Sequence, residues 1–228
     1  MQIAVLGTGT VGRTLAVALS RRGHAVVIGT RNVADTLART DTDAMGNPPF
    51  AQWQAEHGDV ALVSFADAGS DAEAVVNATA GSGSLAALTA VGADRLAGKV
   101  LVDVANPLDF SQGMPPVLSV ANTDSLAEQL QRAFPGARVV KTLNTVTAQV
   151  MVDPSRVPGE HSMFMAGDDV AAKSVVTGLL GDLGWPADAV IDLGGLRSAR
   201  GLEMYLPLWL SLWGALGTAD FNIAVTRT

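Results

Sequence analysis

The stretch Gly7-Thr8-Gly9-Thr10-Val11-Gly12 follows a β-branched apolar run, Ile3–Leu6, and leads straight into residues with helical spacing. Few sequence features narrow a fold further, because each glycine in such a turn has its own job. Gly7 permits the tight turn, Gly9 lets the backbone come close to a diphosphate, and Gly12 lets the helix pack against the strand. Amides at the helix start, around Thr8, Thr10 and Val11, then hold the diphosphate. The helix is the clearest element of the chain: Val11, Leu15, Ala18 and Leu19 share one face, while Arg13, Ser20 and Arg21 are expected outward. Arg21-Arg22-Gly23 closes it, with cations at the negative end of the dipole and a glycine free to turn left-handed. The expectation is a dinucleotide-binding turn, against the plainer alternative of a structural glycine-rich turn.

Apolar runs recur at Ala25–Ile28, Ala61–Phe65, Ala74–Ala78 and Val100–Val104, mostly separated by stretches that can be helical. Continuous apolar runs suit strands covered on both faces, as in a parallel sheet with crossover helices. The expected fold class is α/β, a Rossmann-type doubly wound parallel sheet with a small carboxyl-terminal α/β domain. Strands are expected at Arg138–Lys141, Ser162–Ala166 and Val190–Leu193, with Phe221–Val225 as a candidate last one. Helices are expected from a capping signal at Asn122/Thr123 up to Phe134, over Val170–Leu183 and over Ser198–Leu216. At ~150 residues per domain, the 228 residues divide into a dinucleotide-binding domain over 1–150 and a small domain over 151–228 that completes an acceptor cleft. Asp41 to Asp59, with Pro48, Pro49, Phe50 and Trp53, breaks the rhythm as a long loop or short helix.

The end of the second strand decides which dinucleotide is bound. An NAD site places Asp or Glu there to accept from the ribose 2′-hydroxyl. Here stand Thr30, Arg31 and Asn32, two neutral hydrogen-bonding residues and a guanidinium, which suit a 2′-phosphate. NADP(H) is the expected cofactor, with Arg31 as a solvated helix-start residue the alternative. Three more segments fall at carboxyl ends of strands, where open α/β sheets bind ligands. They are Asn77-Ala78-Thr79, Ala105-Asn106-Pro107 and Lys141 to Val146, the last containing Asn144. All three are expected to line the nicotinamide half, although asparagine after a strand also serves as a turn-former. Asp103 and Lys141 read either as an acid and a base or, with more weight, as a buried strand-end ion pair.

Composition removes other classes. Without cysteine there are no disulfides, thiolate metal sites or cysteine nucleophile, which fits a reducing, cytoplasmic home. A formal charge of -7 argues against a nucleic-acid binder. The amino terminus lacks the basic region of a signal peptide. Leu202 to Leu216 carries Glu203 and Pro207 and falls short of the ~20 apolar residues that cross a bilayer, so no membrane partner is expected. His24, His57 and His161 are scattered, so no metal site and no catalytic triad is expected. Hydride transfer between two stacked rings needs no such group, since the protein acts by positioning.

The motifs taken together, from Gly7–Gly12 and Ile28-Gly29-Thr30-Arg31 through Asn77-Ala78-Thr79, Asn106-Pro107 and Lys141–Val146 to Gly167-Asp168-Asp169, Asp192-Leu193-Gly194 and Ala199–Glu203, resemble the F420-dependent NADP oxidoreductase family. The likeness runs over nearly the whole chain. It implies hydride transfer between NADPH and the deazaflavin coenzyme F420, with Thr30 and Arg31 at the 2′-phosphate and the deazaflavin in a cleft against the small domain. The family name also covers relatives with other acceptors, ferric reductases among them. The small-molecule acceptor is therefore expected to be a deazaflavin, with a flavin, quinone, metal chelate or small carbonyl as the second reading and a non-catalytic NADP sensor as the third. Leu202, Leu206, Trp209, Leu210 and Trp213 lie at helical spacing, which suits a homodimer contact or an internal core.

Overall fold

The computed structural model describes residues 1–43 and 45–226. Its main sheet is built from β1 (Gln2–Leu6), β2 (Ala25–Thr30), β3 (Ala61–Ser64), β4 (Ala74–Asn77) and β5 (Val100–Asp103). A small antiparallel ladder of β6 (Leu108–Asp109) and β7 (Val117–Leu118) stands apart. The main sheet resumes with β8 (Arg138–Thr142), β9 (Met163–Gly167) and β10 (Val190–Asp192). The order across it is β10-β9-β8-β5-β4-β1-β2-β3, parallel throughout except where β8 meets β9. This is the doubly wound Rossmann-type architecture expected from the continuous apolar runs. The expected boundary at residue 150 falls between β8 and β9, which are neighbours in this sheet.

Both faces of the sheet are covered, as the strand sequences require. Along β1, Ile3 and Val5 pack with Leu15 and Leu19 of the helix Thr10–Arg21 and with Val176 and Leu180 of the helix Val170–Asp182. Ala4 and Leu6 point the other way, to Phe65, Leu88 and Leu130 from three other helices. From β1 the chain winds outward to β2 and β3, then returns to place β4 on the other side of β1. A crevice opens outside the carboxyl ends of strands at such a reversal.

Several local expectations are corrected. The helix ending near Phe134 runs over Leu126–Ala133 and is capped by Ser125, whose Oγ accepts from the Glu128 amide at 3.1 Å and donates to its carboxylate at 2.7 Å. Asn122 instead takes a left-handed conformation with φ 63° and turns the chain. The stretch Ser198–Leu216 breaks into the helices Ala199–Met204 and Leu206–Leu216, because Pro207 has no N–H to offer the carbonyl of Glu203. Phe221–Val225 forms no strand; the Ile223 carbonyl accepts from the Ser162 amide, and Phe221 is buried. The interrupting stretch contains a short helix, Phe50–Glu56, with Phe50 and Trp53 buried.

Candidate functional site

The glycine turn adopts the geometry its sequence implies, and each glycine is required for a different reason. Gly7 sits at φ 119°, and a Cβ there would stand 2.5 Å from the Ala78 carbonyl oxygen. A Cβ on Gly12 would come within 2.1 Å of the Gly7 carbonyl oxygen. Both are closed by backbone. Gly9 faces open space, with nothing within 4 Å of where its Cβ would lie. It is the N-cap of the helix Thr10–Arg21, and no side chain caps that end. The first amides of a helix lack internal partners and carry the positive end of its dipole, so this is an anion seat with room above it. A dinucleotide diphosphate fits.

The stretch after β2 folds over one side of that seat. Asp43 accepts from the amides of Met45 and Asn47 at 2.9 Å each and from Asn47 Nδ2 at 2.8 Å, which shapes a compact strap. Asn47 Nδ2 then donates to Thr10 Oγ1 at 2.6 Å, beside Gly9. Arg13 donates to the carbonyls of Thr8 and Pro48 at 2.7 Å each, with its guanidinium over the rings of Phe50 and Trp53. Arg13 was expected to face outward and is only 7% exposed. Helical periodicity has no knowledge of the strap, whose carbonyl and rings turn the side chain back. Burial lowers the Arg13 pKa, and the Asp43 charge opposes that shift.

At the end of β2, the Thr30 hydroxyl is buried against Thr36 Oγ1 at 2.8 Å, and Asn32 caps the helix Val33–Leu37 by accepting from the Asp35 amide. Arg31 is exposed. Across the sheet, registry places Leu6 opposite Asn77, Asn77 opposite Asp103, and Asp103 opposite Lys141. Side chains in one such row point to the same face, so the three polar residues must meet. Asn77 Nδ2 donates to Asp103 Oδ1 at 2.8 Å and to Ser84 Oγ at 3.0 Å. Lys141 Nζ lies 2.8 Å from Asp103 Oδ2 and 3.1 Å from Glu203 Oε1, and also donates to the Ala105 carbonyl. All three charged side chains are at most 1% exposed. Of the two readings of Asp103 and Lys141, the geometry is that of the ion pair.

Sequence reading gave Glu203 no role of its own, naming it as an interruption in an apolar stretch and as the end of the motif Ala199–Glu203. A lone carboxylate on an otherwise apolar helix face was the available signal. Glu203 accepts from the amides of Leu126 at 2.8 Å and Ala127 at 3.2 Å, the first turn of their helix. Burial pushes its carboxyl pKa up, and the Lys141 charge opposes this. The loops past the strands are tied in turn. Thr79 Oγ1 donates to Asn77 Oδ1 at 2.7 Å. Asn106 Nδ2 donates to the Asn144 carbonyl at 3.0 Å, and Asn144 Nδ2 donates to Asn106 Oδ1 and the Leu202 carbonyl at 2.9 Å each. Ala105, Pro107 and Val146 are buried, Ala78 partly so. The structure thus brings Asn77, Thr79, Ala105, Asn106 and Asn144 into one polar web at the carboxyl ends of β4, β5 and β8. Among the described residues, no three of His, Cys, Asp and Glu are grouped to hold a metal ion, and no helix is long and apolar enough to cross a membrane.

Comparison with known proteins agrees with this geometry. A family model described as NADP oxidoreductase coenzyme F420-dependent matches residues 2–107. The chain is 60% identical, over all of both chains and with a TM-score of 0.93, to a crystal structure from Arthrobacter sp. FB24 that carries the provisional name F420-dependent NADP reductase. It is 29% identical over 212 residues to Metalloreductase STEAP3 of Rattus norvegicus, covering 91% of this chain and 38% of that protein. Metalloreductase STEAP2 of Homo sapiens is 30% identical, over 92% of this chain and 37% of its own length. The chain therefore spans under two fifths of the curated relatives it matches. An imine reductase from Aspergillus terreus in complex with NADPH4, 17% identical with a TM-score of 0.62 over 95% of this chain and 62% of its own, shares the fold.

Proposed function

The chain belongs to the F420-dependent NADP oxidoreductase family and is an NADP-dependent oxidoreductase; from that premise we propose that it passes a hydride between NADP(H) and coenzyme F420 by direct ring-to-ring transfer. The observation that carries the cofactor half is the open approach at Gly9, on a helix start that no side chain caps, between two glycines closed by backbone. The diphosphate would lie over Gly9 to Val11, the adenosine ribose toward Thr30, Arg31 and Asn32, and the nicotinamide toward the web of Asn77, Asn106 and Asn144. When bound, NADPH supplies the hydride and the deazaflavin takes it.

The full-length likeness at 60% identity supports the deazaflavin. Residues 151–228 would form the acceptor side, because the Leu202 carbonyl accepts from Asn144 and Glu203 pairs with Lys141, both at the carboxyl end of β8 where the nicotinamide is proposed to lie. Asp103 and Lys141 have no exposed surface from which to hand a proton to an acceptor, so positioning is the chemistry left to the protein. The helix Leu206–Leu216 leaves Leu208, Trp213 and Leu216 exposed, and a second copy of the chain is the proposed cover. A cytoplasmic location goes with this reading.

The metalloreductase relatives favour a second reading, in which the acceptor is a flavin or a metal chelate. Stopped-flow mixing of the NADPH-loaded protein with oxidised F420, a free flavin and a ferric chelate separates the two. Bleaching of F420 in step with NADPH oxidation is expected. Turnover of the flavin or the chelate without F420 bleaching rejects the lead, and NADPH binding without turnover of any acceptor makes the protein a sensor.

A further inference from the structure

The sealed cluster at the carboxyl ends of β5 and β8 holds two carboxylates and one cation. Lys141 Nζ stands 2.8 Å from Asp103 Oδ2 and 3.1 Å from Glu203 Oε1. Every other hydrogen-bond partner of the two carboxylates is also a donor. Asp103 Oδ1 accepts from Asn77 Nδ2 at 2.8 Å and from the Ala105 amide at 3.3 Å, and Glu203 accepts from the amides of Leu126 and Ala127. A protonated carboxyl needs an acceptor for its own O–H. Among the described residues neither group has one, so both are held as anions, although burial alone would push Glu203 toward its neutral form. The count leaves one negative charge in excess. Arg200, the cation on the same short helix as Glu203, is taken up by Glu128 through bonds of 2.8 and 2.7 Å. The helix start at Leu126 lends roughly half a positive charge, less than the unit that Glu203 brings. Asp103 and Lys141 alone would form a neutral pair, so Glu203 is a charge that pairing does not require.

We propose that this excess charge sets the redox balance of the bound dinucleotide: resting on the nicotinamide placement given above, the cluster of Asp103, Lys141 and Glu203 favours the oxidised, cationic ring over the reduced, neutral one. Loss of a hydride from NADPH leaves one positive charge on the nicotinamide and changes no other charge in the cofactor. Asp103 is bonded to Asn77, and Asn77 to Thr79, so the cluster is joined to the loops assigned to that ring. Its side chains are at most 1% exposed, and mobile ions screen such a buried charge little. One unit charge acting over ~12 Å at an effective dielectric of ~20 amounts to about tenfold in an equilibrium constant. The cluster hands over no proton and needs no contact with the ring; it acts through its field.

Calorimetric titration of the full chain with NADP⁺ and with NADPH gives the ratio of their dissociation constants, which fixes the potential of the bound couple relative to the free one. Glu203→Gln and Asp103→Asn each remove the excess charge and nearly keep the shape. Each should weaken NADP⁺ relative to NADPH by about tenfold, raising the potential of the bound couple by about 30 mV. Glu203→Asp keeps the charge and should hold the ratio within about threefold of wild type. A merely structural role would lower both affinities together, as would a misfolded fraction, and neither moves the ratio. A ratio within about twofold of wild type in both neutralised variants overturns the proposal. So does a shift in the opposite direction, or one as large in Glu203→Asp as in Glu203→Gln. The placement of the ring is read separately, from Asn106→Ala. That variant should weaken NADP⁺ and NADPH alike while leaving adenosine 2′,5′-bisphosphate, which lacks the nicotinamide, unchanged. Unchanged binding of all three removes the placement, and the proposal with it.

Discussion

Two neighbouring regions at the carboxyl edge of the sheet are held by opposite means. Around Lys141, three charges with at most 1% exposure and a ring of amide donors lock β5, β8 and two helices together without solvent. Around Gly9, a strap is joined to the turn through a few part-buried bonds, Asn47 to Thr10 and Arg13 to the Pro48 carbonyl. A buried charge cluster is an expensive way to stabilise a fold, and an apolar replacement often does as well. What such a cluster does well is reject every arrangement but one, because each displaced partner strands a charge. The region proposed to hold the reacting rings is built that way, whereas the region proposed to admit the adenosine end can open for the cost of a few part-buried hydrogen bonds and no stranded pair of charges.

The contrast breaks most sharply at Lys141. Lys141→Met leaves Asp103 and Glu203 buried and facing each other without a cation, and should cost about 3–5 kcal/mol in urea unfolding. The triple variant Asp103→Asn, Lys141→Met, Glu203→Gln removes the charges together and should recover most of that loss. A single variant within about 1 kcal/mol of wild type would mean that the cluster is not sealed from water.

The glycines sharpen the comparison on the other side. Gly12→Ala puts a methyl 2.1 Å from the Gly7 carbonyl oxygen, so the helix must back away from the strand. Although alanine favours a helix by ~1 kcal/mol, the forced shift should outweigh it and destabilise by about 1–3 kcal/mol. Gly9→Ala meets nothing, at a backbone conformation of φ -79° that alanine accepts, so its thermal midpoint should match wild type. NADPH affinity should nevertheless fall at least tenfold, by about 1.4 kcal/mol or more, because the methyl fills the approach to the amides. Equal NADPH affinity in Gly9→Ala would remove the diphosphate from this turn.

These differences also mark where sequence reading succeeds. The close backbone approaches at Gly7 and Gly12 and the open space at Gly9 were legible because they depend on a strand, a turn and a helix contiguous in the chain. Asn77, Asp103 and Lys141 were legible as strand-end residues, and parallel registry then brought them into one row. Glu203 was not, because its partners Lys141, Leu126 and Ala127 are distant in the chain and only tertiary packing joins them. Arg13 failed for the same reason, its partner being a carbonyl on the strap. The misplaced cap at Asn122 is a different failure: asparagine is favoured both at helix starts and in left-handed turns, and a sequence alone does not say which is in use. The split at Pro207 was visible and under-weighted.

The smallest expected effect lies outside both regions, on the exposed face of the helix Leu126–Ala133. Hydrogen bonds from the Arg132 guanidinium are the main cause holding the Asp124 carboxyl at about 2, below its ordinary 3.8. A carboxyl whose folded pKa is lowered contributes stability above its unfolded pKa and loses it as pH falls through the folded one. The contribution is therefore complete above about pH 4 and gone near pH 2. Because the pair is partly exposed and screened, it is worth under about 1 kcal/mol. Unfolding of wild type and Arg132→Ala should accordingly differ by that amount at pH 6 and converge as pH is lowered from 4 toward 2. Added salt should narrow the gap at pH 6 while barely moving the Lys141→Met deficit, because mobile ions reach the surface pair and not the sealed cluster.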